Sequence, residues 1–344
     1  MSRARELQLQ LARWIAHEVP QAGDITIENL RRAGGGSSTE NWLFEAGWSA
    51  GNMRVERALV LRCAPRSEVV VNTREDEFHL LRAIDGHGLL SPGAYWLDAQ
   101  GAWMGRPAMV LEQCHGKADR GLLTARNTLG LDAGTQSILA RELADALAAI
   151  HRLDAKVVDA LPRSHAASAD PARRELDLQE ASLRRGANLA SPEMRLAAAW
   201  LRANLPGAPA REVLVHGDFR PANVLVAQGK ITAVLDWELA HRGDPAEDIG
   251  WYLAPVYRHE HFMAGAWTPA DFVRRYEARS GLIVDRQAVR FWSVFAMYKL
   301  VAIALSTMEA FVTGDHARLA PFPHRLMEAL MRGITNTAHD PAGA

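Results

Sequence analysis

Two hydrophobic periods divide the chain. The opening run MSRARELQLQLARWIAHEVP sets charges among apolar residues at helical spacing and predicts a helix over Arg3–Glu18. Between residues 24 and 64 the period shortens to two. ITIENLRRA, a glycine cluster, NWLFEAG and ERALVLRCA read as antiparallel strands, with Trp42 and Phe44, then Leu59 and Leu61, alternating inward. A turn is expected at Ser49-Ala50-Gly51. A helix follows over Asn72–Asp85, with Phe78, Leu81 and Ile84 on one face, and further strand-like runs end in PAMVLEQCHGK. From about residue 118 helical periodicity dominates, over Thr135–Leu153, Pro171–Arg184 and Pro192–Asn204, with Asp154–Pro171 read as a loop or insertion. A single β island, REVLVHGDFRPANVLVAQGKITAVLDWE, interrupts the helices. Helices resume at Thr268-Pro269-Ala270-Asp271, a hydroxyl cap, a first-position proline and a first-turn acid, and the last ten residues read as frayed. The expected fold class is α+β, a β-rich part over residues 1–112 preceding a mostly helical part over residues 113–344.

Composition narrows the function classes. Lys and Arg total 39 against 40 Asp and Glu, a formal net charge of −1, which speaks against a nucleic-acid binder or a polybasic membrane anchor. Two cysteines, Cys63 and Cys114, are too few for a disulfide scaffold or a Cys-rich zinc site and fit a reducing cytoplasm. No signal-peptide pattern opens the chain. The most apolar stretch, Arg290–Val312, is cut by Lys299 and Glu309 into runs of eight and nine and reads as a core helix rather than a membrane span. A cytoplasmic protein without nucleic-acid or membrane partners is expected.

The β island carries the chemistry. His216-Gly217-Asp218 is followed by Asn223, a strand, a Gln228-Gly229 turn, a second strand and Asp236. Phosphoryl transfer needs a carboxylate near the acceptor hydroxyl and oxygen ligands for Mg²⁺. Asp218 and Asn223 lie five apart on one loop, and the hairpin folds Asp236 back beside Asn223. The spacing repeats the protein-kinase catalytic loop, with Asp236 where the aspartate of D-F-G would stand.

The string HGDFRPANVL…LDWELAHRGDPAEDIGW resembles the aminoglycoside-phosphotransferase-like small-molecule kinases, in particular the branch related to the kinase-like domains of some acyl-CoA dehydrogenases. The resemblance runs over about residues 25 to 335 and implies a bilobal protein-kinase-like fold, with a β-rich N-lobe, a helical C-lobe and ATP between them. It makes Asp218 the catalytic base, Asn223 and Asp236 the Mg²⁺ ligands, and His216 and Asp248 supports of the loop. Gly35, Gly36, Ser37 and Ser38 would approach the phosphates, in a pattern that departs from G-x-G-x-x-G. Arg62 stands where a kinase lysine meets the α- and β-phosphates, with Glu77 rather than Glu75 as its ion-pair partner. Glu112 and Cys114 would offer backbone groups to adenine, and His151 matches a supporting position. The implied activity is transfer of the γ-phosphoryl group of ATP to a hydroxyl of a small molecule. The alternative is a nucleotide-binding pseudokinase that acts as an interaction module.

Other motifs carry less. Gly47-Trp48-Ser49-Ala50-Gly51 fits G-x-S-x-G but lies between strands, where no nucleophile elbow forms. His259-Glu260-His261 lacks the i, i+4 spacing of a zinc helix and is expected to cap or line a loop. Glu238, Asp244 and Glu247 are the local acids that could meet a polycationic acceptor, while Trp237, Trp251 and Lys299 are candidates for its pocket without an assigned role.

Overall fold

The helical period of the first residues becomes α1 (Arg3–Glu18), which buries Leu11, Trp14 and Ile15 from one face. A computed structural model describes residues 3–33, 40–64, 73–161, 170–185, 191–312 and 323–335. The chain divides into two compact units, Met1–His115 and Gly116–Ala344.

In the first unit α1 packs on a five-stranded antiparallel sheet in the order β1-β2-β3-β5-β4. Its strands are β1 (Ala22–Arg32), β2 (Glu40–Ala50), β3 (Met53–Cys63), β4 (Ala94–Asp98) and β5 (Ala108–Glu112). Phe44, Trp48, Leu59, Leu61 and Val110 meet α1 in a single core. The β2–β3 turn falls one step later than the sequence suggests. Ala50 pairs with Met53, so Ser49 and Ala50 are strand and the G-x-S-x-G string is hairpin.

Because side chains alternate along a strand, Leu61 and Arg62 leave β3 on opposite faces. The Arg62 face is buried by its partnership with α2 (Arg74–Ile84), whose start is set by a capping box between Thr73 and Asp76. The buried residues of α2 include Glu77, Leu80, Leu81 and Ile84, and Phe78 is only half-buried. The expected stripe of Phe78, Leu81 and Ile84 is therefore shifted: the Arg62–Glu77 ion pair holds an inner position that an apolar pattern cannot reveal.

The second unit is helical around two small ribbons. Its first helices are α3 (Ala133–His151), α4 (Ala155–Ala160), α5 (Pro171–Arg185) and α6 (Pro192–Ala203). The short α4 falls inside the stretch expected to be loop, and Asp154 caps it through the N–H of Lys156. Strand β6 (Val213–Val215) pairs with β9 (His241–Gly243), and β7 (Val224–Ala227) with β8 (Lys230–Val234). After them come α7 (Pro245–Tyr252), α8 (Arg258–His261), α9 (Pro269–Ser280), α10 (Arg286–Val312) and α11 (Pro323–Thr335).

Helix α10 is long and apolar enough to cross a membrane by length and composition, but 72% of its apolar window is buried inside the protein. It packs on α7 at Gly250, where a Cβ would come within 2.6 Å of Trp292 Cβ and 2.7 Å of Ser293 N. Gly250 thus lets the two helix backbones approach closely. His261 neither caps nor lines an open loop. It is buried, its ring stacks on Tyr257, and its Nδ1 bonds the carbonyl of Tyr252 at 2.8 Å.

Candidate active site

Strand β6 delivers His216, Gly217 and Asp218 to the end of a ribbon fixed by β9. The loop is held from beneath by Asp248 of α7, whose carboxylate accepts the N–H of His216 at 2.7 Å and of Gly217 at 2.9 Å. His151 Nε2 lies 3.0 Å from the same carboxylate, and His151 Nδ1 lies 2.7 Å from the Tyr276 hydroxyl. Burial alone would raise the Asp248 carboxyl, but the bond and charge of His151, with help from His216, hold it below the ordinary carboxylate range. Gly217 takes φ 82°, and a Cβ there would stand 2.7 Å from the Leu239 carbonyl oxygen, so the turn admits only glycine.

His216 is fully buried between Trp237 and Phe219. Its Nδ1 accepts the N–H of Asp218 at 3.3 Å, which leaves the proton on Nε2 to donate to the Leu235 carbonyl at 3.0 Å. Both ring nitrogens are spent on backbone, so His216 ties the loop to the end of β8.

Asn223 gives both amide hydrogens to Asp218, one to Oδ2 at 2.7 Å and one to the backbone carbonyl at 2.9 Å. Arg220 Nε lies 3.0 Å from Asp218 Oδ1. Burial pushes the Asp218 carboxyl above the ordinary range, against the opposing pull of Arg220 and Asn223. Asp236 adds to the rise through like-charge repulsion, and its backbone is left-handed at φ 60°, ψ 58°. Aspartate tolerates this region better than most residues, and Asp24, Asn29 and Gln228 share it. The Leu235 N–H bonds the Asn223 carbonyl at 2.8 Å, which seats Asp236 beside Asn223.

These residues fit a divalent cation. With both Asn223 amide hydrogens used, Oδ1 is the atom left for a ligand, and Asp236 adds hard carboxylate oxygen of the kind Mg²⁺ takes. A cation there would relieve the repulsion between Asp218 and Asp236.

In the first unit, Arg62 Nη1 bonds Glu77 Oε1 at 2.8 Å, and Arg74 Nη1 bonds Glu77 Oε2. All three side chains are buried. Glu75 is exposed beside His79. Arg74 is a partner that the sequence reading did not single out. The N–H of Glu112 is spent on the Gly93 carbonyl at 2.8 Å, so its own carbonyl is the backbone group that could face a ligand. Burial, with Glu112 beside it, pushes the Cys114 thiol up to about 11, which disfavours the thiolate a nucleophile would need. Gly35, Gly36, Ser37 and Ser38 lie outside the described residues.

The structure also withdraws two of the acids considered for a polycationic acceptor. Asp244 caps α7 through the Ala246 N–H at 2.8 Å and accepts Trp292 Nε1 at 2.9 Å. Glu247 is buried against His241 Nε2 at 3.2 Å and Lys299 Nζ at 3.7 Å, and Glu175 closes that cluster. Lys299, also poised over Trp251, is thereby a core cation.

The sequence profile described as "Phosphotransferase enzyme family" matches residues 29–292, most of the chain and every part of the site above. The chain belongs to the phosphotransferase enzyme family. Within it, the mouse (Mus musculus) acyl-CoA dehydrogenase family member 10 is 25% identical over 277 residues, 76% of this chain and 25% of that protein. The rat (Rattus norvegicus) family member 11 is 24% identical over 276 residues, 76% of this chain and 35% of that protein. The phosphotransferase chain thus spans about a quarter to a third of the length of these relatives.

Solved structures share the fold. A Ralstonia eutropha JMP134 protein classed with the aminoglycoside phosphotransferases superposes with a TM-score of 0.65 at 19% identity, covering 95% of this chain and 94% of that one. Aminoglycoside phosphotransferase APH(4)-Ia, solved with ADP and hygromycin B, gives 0.62 at 14% identity, covering 95% and 100%. The macrolide 2'-phosphotransferase MphH of Brachybacterium faecium gives 0.54 at 23% identity, covering 96% and 99%. The fold is the bilobal kinase-like one that the sequence led us to expect.

Proposed function

We propose that this phosphotransferase moves the γ-phosphoryl group of ATP, with Mg²⁺, to a hydroxyl of a small molecule. The observation that carries the reading is the Asp218–Asn223–Asp236 constellation: a carboxylate fixed by two bonds from Asn223, beside a second carboxylate on a left-handed backbone. APH(4)-Ia is known as complexes with ADP and with AMP-PNP, which supports a nucleotide as the donor.

In this reading Asp218 aligns the acceptor hydroxyl and takes its proton as the oxygen attacks. Its raised affinity for protons suits a base. Arg220 balances its charge, and the Asp248 brace keeps the loop from moving as the proton passes. Asn223 and Asp236 would hold Mg²⁺, which when bound neutralises charge on the phosphate oxygens. Arg62, locked by Glu77, would meet the α- and β-phosphates with a fork suited to paired oxygens. Positioning and charge compensation supply most of the catalysis in such a site.

The test is Asp218→Asn in a coupled ADP-release assay over a panel of hydroxylated metabolites. Loss of about a hundredfold to ten-thousandfold in kcat, with ATP binding retained, is expected for a general base. Full activity in Asp218→Asn would sink the assignment. ADP binding without turnover of any acceptor would favour the pseudokinase.

A further inference from the structure

The two carboxylate oxygens of Asp218 have different surroundings. Oδ2 accepts an amide N–H of Asn223 at 2.7 Å. Oδ1 is buried and receives no hydrogen bond among the described residues. A buried carboxylate oxygen without a donor is costly to keep, and calls for a role. The group that stands against it is Arg220, whose Nε lies 3.0 Å away. That approach is a charge contact and not a hydrogen bond, because Nε is likewise buried without a hydrogen-bond partner.

The same guanidinium stands 5.8 Å from the centroid of the Tyr257 ring, within cation–π range. Tyr257 is itself fixed. It is buried, and its ring stacks on His261 at 5.0 Å and 16°. Arg120, whose charge also reaches Arg220, is tied to Glu260 at 2.7 Å and does not compete for Asp218. Arg220 and Tyr257 both line a cleft of about 860 Å³ in the second unit, the size of a small-molecule site. Arg220 therefore touches the cleft and Asp218 Oδ1 at once.

We propose that Arg220 decides which nucleophile Asp218 serves. With no acceptor bound, its side chain keeps water off Oδ1; an acceptor hydroxyl entering from the cleft displaces it toward Tyr257 and meets Oδ1 in its place. A contact without hydrogen-bond direction gives way readily, and the ring face of Tyr257 holds the cation as it moves. The acceptor O–H proton then passes to Oδ1 as the acceptor oxygen bonds to the γ-phosphorus. The bond from that phosphorus to the bridging oxygen breaks, and ADP leaves. With water as nucleophile the same step would give only phosphate and ADP, a side reaction that exclusion of water suppresses. The inference rests on the phosphotransferase reading for this reaction, and on the geometry of Arg220 for the shield.

Two variants and two measurements on the full chain test it. Arg220→Ala removes both charge and cover, whereas Arg220→Met removes the charge and keeps most of the bulk. With Mg²⁺ and ATP but no acceptor, Arg220→Ala should release ADP about tenfold faster than either the parent or Arg220→Met. Carbodiimide coupling of glycine ethyl ester, read by peptide mass spectrometry, reports access to the Asp218 carboxyl without turnover. Labelling of Asp218 should rise several-fold in Arg220→Ala over both other proteins, with the fully buried Asp248 unlabelled in all three as the sign of an intact fold. If Arg220 only balances charge, the two variants behave alike in both measurements, and that result overturns the shield. Labelling that rises in Arg220→Ala without faster acceptor-free ADP release, in a protein that phosphorylates an added alcohol, overturns it as well. Selective labelling with no ADP release by parent or variant over the panel of hydroxylated metabolites would instead overturn phosphoryl transfer and leave Arg220 as the cover of Oδ1.

Discussion

Asn223 spends both hydrogens of its side-chain amide on one residue, donating to the Asp218 carboxylate at 2.7 Å and to the Asp218 carbonyl at 2.9 Å. The pair couples the proposed base to the proposed metal ligand. Asn223→Asp should therefore harm both roles. It replaces a donor with a second carboxylate against Asp218, and two adjacent carboxylates raise the apparent affinity of one for a proton. In the kcat profile the acidic limb should move to higher pH and the plateau fall by about a hundredfold. An unchanged profile would show that Asn223 acts on the metal alone.

Asp248 supports the loop without touching the reacting atoms. It collects the N–H groups of His216 and Gly217 and the ring of His151 at full burial. Asp248→Asn leaves one donor facing another and should cost about 3 kcal/mol in urea unfolding, the low end for a broken buried charge pair. The kinetic signature separates bracing from nucleotide binding. The kcat should fall with displacement of Asp218, while KM for ATP stays near the parent value.

Glu77 lies between two buried guanidiniums, Arg62 and Arg74. Glu77→Gln leaves both cations without their counter-charge and should destabilise the protein by about 3 kcal/mol or more. Arg62→Lys keeps one charge but loses the planar fork, and KM for ATP should rise several-fold with little loss of stability. A KM unmoved by Arg62→Lys would remove Arg62 from the nucleotide site.

What the sequence disclosed and what it hid divide along physical lines. The alternation around Leu59 and Leu61 and the cap at Thr268 are local signals, and the sheet and α9 formed where they pointed. The spacing of Asp218, Asn223 and Asp236 was equally legible, because one loop and one hairpin bring them together. Partners supplied by distant segments were not. Tyr276 behind His151, Trp292 on Asp244 and Glu175 beside His241 follow from helix packing, which no local period encodes. Buried charge misled most. Glu247 was a candidate for meeting a ligand, Lys299 had no assigned role, and Arg74 was not singled out, because charged side chains are rarely inside unless paired.

Two histidines, His241 and the buried His261, act on stability from opposite ends of the pH range. Burial alone would lower the His241 value, but Glu175 and Glu247 outweigh it and hold the imidazole protonated up to about 10, against an ordinary 6.5. A group whose folded value is raised contributes fully below 6.5, and that contribution is lost as pH climbs toward 10. His261 behaves in reverse. Burial pushes it down to about 3, despite its bond to the Tyr252 carbonyl, so the folded state keeps it neutral while the unfolded chain takes up a proton below 6.5. Its contribution is present above 6.5 and is lost as pH falls toward 3. Together the pair favours a stability maximum near neutrality, with His261 contributing to the acid limb and His241 to the alkaline limb. His261→Phe keeps an aromatic ring against Tyr257 and should flatten the acid limb of Tm against pH, whereas His241→Gln should flatten the alkaline limb. A parent Tm that rises steadily from 6.5 toward 10 would contradict the His241 assignment.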